Sequence, residues 1–259
     1  MRILHVFTAM APSYGWVVEL ANGLCGKQKE LGHEVTVVAT NLDWDDVLDV
    51  PLEEPVSIGN IDVHYFPIDG WARHVPVRII RRFAISSRLR NWLRDRVSGF
   101  EVVHVHAIYL YPSLVASSAS RKAHVPYVIS PYGNLDPATH SHSRSIKSLY
   151  VEMFERRDLN GAAAIHFMSV GEQMLARGFG MTAPSTVIDL GLPSEKFEGL
   201  PKRGTFRSRY PALADKQIIM YLGRISYSKG LDVLAAAFVL VAKRHPDAHL
   251  MFVGPDRED

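Results

Sequence analysis

Tyr221-Leu222-Gly223-Arg224-Ile225-Ser226-Tyr227-Ser228-Lys229-Gly230 joins an apolar run, Ile218–Leu222, to a helical pattern at Leu231–Ala242. A second apolar run, Leu250–Val253, follows, so residues 218–253 read as strand, glycine-bearing turn, helix, strand. That order is the repeating unit of a parallel sheet with helices on its faces. One such unit cannot bury both faces of a sheet. The expectation is a second domain that begins here and continues beyond Asp259, or is completed by something else.

Toward the N-terminus, Gly191–Pro211 is rich in glycine, proline and charge and reads as the interdomain crossing. Before it, strands are expected at Ile3–Thr8, Val35–Ala39, Ile61–Phe66, Val102–His106, Val125–Ile129, Ala162–Met168 and Ser185–Ile188. Between most of them lie helical patterns at 17–31, 76–97, 109–121 and 144–160, while Asn41–Pro55 reads as an acidic, irregular insertion. The predicted fold class is α/β: a Rossmann-like parallel-sheet domain at 1–200, a linker region at 201–216, and the start of a second Rossmann-like domain at 217–259.

Composition narrows the function classes. A net charge of +2 over 259 residues gives no basic field for nucleic acid. The single cysteine, Cys25, excludes an internal disulfide, suits a reducing cytoplasm, and falls in a predicted helix where it reads as a small apolar residue. No stretch approaches the roughly 18–20 apolar residues of a membrane span. Arg2–Phe7 reads as a first strand rather than a signal peptide. A cytoplasmic globular protein is expected.

In open parallel sheets, ligands bind outside the carboxyl ends of the strands, so the strand-to-helix junctions carry the chemistry. The first, Thr8–Trp16, lacks Gly-x-Gly-x-x-Gly, which disfavours a dinucleotide cofactor and an NAD-dependent oxidoreductase. Gly15, at the mouth of a helix, is either a plain turn residue or lets backbone N–H groups approach an anion. His104 and His106 share a strand face; a zinc pair would need a third ligand that the sequence does not offer. His104 reads as interior, and His106, at the strand end, as a contact for a substrate hydroxyl or phosphate. Ser130–Pro137 holds two prolines around a glycine, a stiff loop suited to hydroxyl-bearing groups or simply a demanding turn. Arg224 and Lys229 flank a helix start, where two cations can hold a diphosphate without a metal. This is not a P-loop.

Residues 73–96 carry eight arginines against one acid, Asp95, with Ile85, Leu89 and Trp92 on a helical stripe. An ordinary helix packed by that stripe, with its arginines solvated, competes with peripheral contact to anionic lipid or a phosphorylated acceptor.

In order and spacing, Val103-His104-Val105-His106, Ser130–Pro137, Leu190-Gly191-Leu192, Tyr221–Arg224, Lys229-Gly230-Leu231 and Phe252-Val253-Gly254-Pro255-Asp256 resemble the retaining, GT-B-fold glycosyltransferases of family 4, also called glycosyl transferase group 1. The resemblance implies transfer of a hexose from a nucleotide-diphosphate sugar to a glycan or lipid-linked acceptor, as in cell-surface polysaccharide synthesis, with no cofactor and no metal. It implies that Arg224 and Lys229 hold the donor diphosphate and steady the leaving group, that His106 lies near the donor sugar, and that Gly15 approaches the transfer site. Trp16, Tyr132, Gly133 and Asn134 would line the acceptor side. Two departures stand out: Gly15-Trp16 where many members have paired glycines, and no Glu-x7-Glu region, which lies later in the family's second domain. The chain alone is therefore expected to be inactive or nearly so. The alternative is a non-catalytic sugar- or nucleotide-binding regulatory protein.

Overall fold

A computed structural model describes residues 1–74, 78–137, 154–191 and 197–256. The chain divides into two compact units, Met1–Pro193 and Ser194–Asp259.

The first unit is a mixed α/β domain. Its strands are β1 (Arg2–Ala9), β2 (Glu34–Thr40), the short pair β3 (Leu42–Asp43) and β4 (Asp46–Val47), β5 (Pro55–Ile58), β6 (Ile61–Phe66), β7 (Val102–His106), β8 (Tyr127–Ser130), β9 (Ala164–Phe167) and β10 (Ser185–Val187). Eight of them form one sheet in the order β10-β9-β8-β7-β1-β2-β6-β5. All neighbours pair in parallel except β5, which runs antiparallel to β6 at one edge. The order turns back between β1 and β7: the chain leaves β1 toward β2 and later returns to its other side. That reversal opens a crevice at the carboxyl ends of the two strands.

Alternation along β1 sends successive side chains to opposite faces. Leu4 and Val6 join a core with Val103, Val105, Leu89 and Leu93, whereas Phe7 packs with Val37, Val63, Tyr65 and the Ala21–Cys25 stretch. The second face is covered by helix α1 (Trp16–Glu30), which ends where Gly32 turns at φ 85° and His33 N–H donates to Gln28 O at 3.1 Å. Cys25 is buried there and its thiol is pushed up to about 12 by burial, as an inert apolar residue.

Two local expectations are corrected, and a third is only partly described. The single helix expected over 76–97 is broken into α3 (Arg78–Arg82) and α4 (Ser87–Arg96), preceded by a short α2 (Gly70–His74). Ala84 takes φ 59° and Ser86 Oγ accepts from Leu89 N–H at 3.2 Å, an N-cap that starts a new helix. The insertion at 41–55 is not irregular throughout: β3 and β4 form a hairpin, with Trp44 at φ 55° in its turn. The helix expected over 144–160 is described only at its end, as α6 (Arg156–Asn160), after α5 (Tyr111–Lys122); residues 144–153 lie outside the described residues. A further helix, α7 (Val170–Ala176), follows β9.

The second unit holds α8 (Thr205–Arg209), β11 (Gln217–Leu222), α9 (Leu231–Ala242) and β12 (Ala248–Val253), with β11 and β12 parallel. Among its described residues no apolar side chain is fully buried; Leu222 is 70% exposed and Leu240 65%. Both strands end in glycine at a close backbone approach: a Cβ on Gly254 would sit 1.9 Å from the Gly223 carbonyl oxygen.

Candidate functional site

A cavity of about 250 Å³ lies at the carboxyl ends of β1 and β7, where the strand order reverses. Phe7, Thr8 and Ala9 supply one wall, His106, Ala107 and Leu110 another, and Trp16, Val17 and Leu20 of α1 a third. Tyr14, Leu42, Trp44, Arg82 and Tyr132 complete it.

The β3–β4 hairpin locks the first loop against this cavity. Ser13 Oγ donates to Asp43, Trp44 N–H donates to the Tyr14 hydroxyl at 3.0 Å, and the two rings stack at 4.8 Å. The Arg82 guanidinium lies 5.4 Å over the Trp44 ring and pairs with Asp45, which Arg78 and Arg81 also approach. Desolvation raises the Asp45 carboxyl, but the hydrogen bonds and charges of Arg82 and Arg78 together outweigh it and hold the group below its ordinary range. Gly15, at φ 49°, turns the chain into α1; its N–H donates to Pro12 O at 3.1 Å. Trp16 follows, 54% exposed, edge-on to Tyr132 at 5.3 Å.

The floor is a chain of side chains, with His5 and His106 buried and Gln28 and Tyr132 half-buried. Gln28 Oε1 lies 2.7 Å from His5 Nε2, His5 Nδ1 lies 2.9 Å from His106 Nε2, and His106 Nδ1 lies 2.6 Å from the Tyr132 hydroxyl. Phe7 stacks on the His106 ring with centroids 3.8 Å apart. A second chain runs beside it: His104 Nε2 to Ser130 Oγ at 2.8 Å, Ser130 Oγ to His166 Nδ1 at 2.8 Å, and His166 Nε2–H to the Ile188 carbonyl at 2.8 Å. Burial lowers His5 to about 4, opposed by its bond to Gln28. Burial likewise drives His104 and His106 well below the ordinary histidine range. All three rings are neutral at pH 7.

His5 is the partner that sequence reading missed. It sits in an apolar strand 101 residues from His106, and only the β1–β7 register, which sets His5 opposite His104, brings them together. The ligand atoms of His5, His104 and His106 fall within 4.8 Å of one another. His5 and His106 spend those nitrogens on each other, on Gln28 and on Tyr132, so a cation there would have to break the chain.

Tyr132 and Gly133 take φ 53° and 79°, which lifts the 130–137 loop over the floor. Glu172 holds it: Oε1 accepts from Gly133 N–H at 2.6 Å and Oε2 from Met168 N–H at 2.8 Å. Glu172 stands three residues after Ser169, whose hydroxyl accepts from Glu172 N–H at 3.1 Å, so Ser-x-x-Glu was the signal that could have revealed it. Asn134 N–H donates to Pro131 O at 3.2 Å, and Leu135 anchors the loop in the core. Of the expected acceptor-side residues, Trp16 and Tyr132 line the cavity with His106, whereas the amide of Gly133 is turned onto Glu172.

Arg224 and Lys229 belong to the second unit. Ser226 is extended at φ −152°, Lys229 N–H donates to Ser226 O at 3.1 Å, and Gly230 at φ 63° opens α9. The Tyr221 hydroxyl donates to Arg224 O at 2.8 Å, fixing the backbone between the two cations.

A doubly wound parallel sheet with a cavity at its reversal point defines a Rossmann-like α/β domain of the GT-B type. Residues 16–191 match the glycosyl transferase 4-like domain, and the chain belongs to that family. Among curated proteins, no sequence matches it. Anabaena HepE, solved with UDP and glucose, is similar in fold: TM-score 0.62 at 16% identity, over 99% of this chain and 62% of HepE. An E. coli trehalose-6-phosphate structure bound with UDP-2-fluoro glucose gives 0.66 at 14% identity, over 99% and 65%. The UDP-GlcNAc 2-epimerase from Neisseria meningitidis, bound to UDP-GlcNAc, gives 0.57 at 13% identity, over 97% and 65%. The chain thus spans less than two thirds of the length of these structures.

Proposed function

We propose that this chain belongs to a retaining glycosyltransferase that moves a hexose from a nucleotide-diphosphate sugar to a glycan or glycolipid acceptor, in cell-surface polysaccharide synthesis in the cytoplasm. The observation that carries the reading is the cavity at the β1–β7 reversal within a glycosyl transferase 4-like domain. UDP-glucose in a second HepE structure, UDP-2-fluoro glucose in the E. coli structure and UDP-GlcNAc in the epimerase, all of the same fold, favour a nucleotide sugar as partner.

Arg224 and Lys229 are placed on the donor diphosphate, where negative charge grows as the nucleoside diphosphate departs. Trp16, Tyr132, Gly133 and Asn134 form the acceptor side, Gly15 the approach to it, and His106 stays in the site beneath Tyr132. No cofactor or metal enters this reading. Peripheral contact through 73–96 would bring a lipid-linked acceptor to the cavity, since Arg82 belongs to both. Because the chain covers 60–65% of the length of several similar structures, transfer is proposed for the whole protein.

The test is product analysis of that protein with UDP-, GDP- and ADP-hexoses. Transfer with retained anomeric configuration, lost at least a hundredfold in Arg224→Ala and Lys229→Ala, is expected. Release of an epimerised sugar instead would assign the epimerase chemistry and end the transferase reading.

A further inference from the structure

We propose that the cavity takes an acceptor built as a hydrocarbon group on a phosphate monoester. The hydrocarbon lies inside, and the phosphate lies on Arg78, Arg81 and Arg82, in the place that Asp45 holds. Calling this ligand an acceptor rests on the transferase reading above.

The walls select the body of the ligand. Among the described residues, Arg82 is the one charged side chain on them, and Val17, Leu20, Leu42 and Leu110 bring only carbon. The Tyr14 hydroxyl accepts from Trp44 N–H and the Tyr132 hydroxyl lies 2.6 Å from His106 Nδ1, so both oxygens are engaged within the fold. Thr8 and His106 are the remaining polar members. A bare sugar seated here would bury most of its hydroxyls against carbon, each without a partner. A hydrocarbon group has no such loss and leaves water on entry. An apolar cavity of ~150 Å³ accepts benzene, so about 250 Å³ has room for about ten carbon atoms.

The rim selects the head. Asp45, in the turn between β3 and β4, faces three guanidiniums: Arg78 Nε and Arg82 Nε at 3.3 Å, and Arg81 Nη2 at 3.9 Å. Two carboxylate oxygens are thus shared by three cations, all farther away than the ~2.8 Å of a full charge-assisted bond. A phosphate monoester brings three oxygens and up to two charges, a better match for this trio. The carboxylates on either side of Asp45 are engaged elsewhere: Asp46 pairs with Arg73 at 3.2 Å and Asp43 accepts from Ser13. Arg82 joins body to head, because its guanidinium pairs with Asp45, lies over the Trp44 ring and belongs to the cavity wall. Asp45 is a turn residue with a side chain 44% exposed, so it can swing aside without opening the core.

The experiment is calorimetric titration of this 259-residue chain with octyl phosphate below its micelle concentration, beside its two halves, 1-octanol and inorganic phosphate. Octyl phosphate should bind about tenfold tighter than either half. Nuclear Overhauser contacts from the octyl chain should reach the methyl groups of Leu20, Leu42 and Leu110. Arg78→Gln combined with Arg81→Gln, both outside the cavity wall, should remove the preference for octyl phosphate over 1-octanol. Asp45→Asn should tighten octyl phosphate several-fold and leave 1-octanol unchanged, because it removes the resident competitor. An Asp45 that merely ties down the hairpin would weaken both ligands when substituted, and that result overturns the proposal. Equal affinity for octyl phosphate and either of its halves overturns it as well. So does tighter binding of octyl β-glucoside, which would make the head a sugar. Binding to phosphatidylglycerol vesicles without binding of monomeric octyl phosphate would assign the arginines to a membrane surface and also end the proposal. No arm needs glycosyl transfer, so failure here is separable from failure of the transferase reading.

Discussion

Glu172 and Gly254 show how single residues set the two junctions. With Glu172 accepting from Gly133 and Met168, Glu172→Ala orphans two amide donors beneath a loop whose Tyr132 is held at φ 53°. The expected cost is about 1–3 kcal/mol of stability in chemical denaturation, with faster hydrogen exchange at Gly133. Unchanged exchange there would remove Glu172 as the holder of the loop. Gly254 acts sterically: a methyl group 1.9 Å from the Gly223 oxygen forces the tips of β11 and β12 apart. Gly254→Ala should therefore cost about 1–3 kcal/mol in the second unit and leave amide protection of β1 and β7 intact. The sequence marked Gly254 through its strand-end position, but the contact with Gly223 needs the register of Leu222 on Val253 to be seen.

At the scale of elements, the alternation of strand and helix was legible because buried parallel strands such as Val35–Ala39 are almost wholly apolar. What escaped were features decided by tertiary pairing. Strand β5 begins at Pro55 and alternates exposed and half-buried residues, a weak signal until β6 provides a partner. The break at 83–86 escaped because the apolar stripe Ile85, Leu89, Trp92 continues across it in spacing alone; the Ser86 cap and the Ala84 turn override that period. The site was half legible: His106, Trp16 and Tyr132 lie at strand-end junctions, while His5 sits mid-strand and Gln28 in the last turn of α1, where pattern reading sees only packing. The break also bears on the basic run. Arg78, Arg81 and Arg82 face Asp45, and Arg88 pairs with Glu53, so part of the charge is answered within the fold. If α3 and α4 still dock on anionic lipid, charge reversal of Arg78, Arg81, Arg82 and Arg88 to glutamate should abolish sedimentation with anionic vesicles. No sedimentation of the parent protein would end the membrane proposal.

For the whole molecule, opposed buried groups set the pH dependence of stability. Burial raises Glu155 from 4.5 to about 7 and Asp158 from 3.8 to about 6, the latter partly offset by Arg121 at 2.5 Å. Carboxyls with raised folded pKa values cost stability as pH climbs from their unfolded values through the folded ones. The histidines act in the other direction: His5, lowered from 6.5 to about 4, is stabilising above 6.5 and loses that contribution as pH falls toward 4. The two windows overlap from about pH 4 to 6.5, where the effects oppose each other; above pH 6.5 only the Glu155 cost still grows, so the melting temperature should fall between pH 6.5 and about 7. Glu155→Gln, which keeps an acceptor for Tyr109 N–H, should gain about 3 kcal/mol at pH 8 and little at pH 4. A variant with unchanged stability at pH 8 would show that Glu155 is ordinary in its titration. The two units should also differ in cooperativity, because the three buried clusters all lie in the first. Amides of β11 and β12 should exchange well before those of β1 and β7; equal protection would contradict that division.

The two rims of the eight-stranded sheet bear on how copies of this protein meet in solution. One rim is β5, reversed in direction and begun by a residue with no N–H; the other is β10, three residues long with Ser185 and Thr186 exposed. Neither is a template on which another chain can extend a ladder. The two-stranded sheet β11–β12 has no such block at its edges, so self-association of this 259-residue chain at high concentration is expected to run through the exposed apolar surfaces of β11 and α9. Leu222→Lys or Leu240→Lys should raise the soluble limit, whereas the same charge placed in β10 should not.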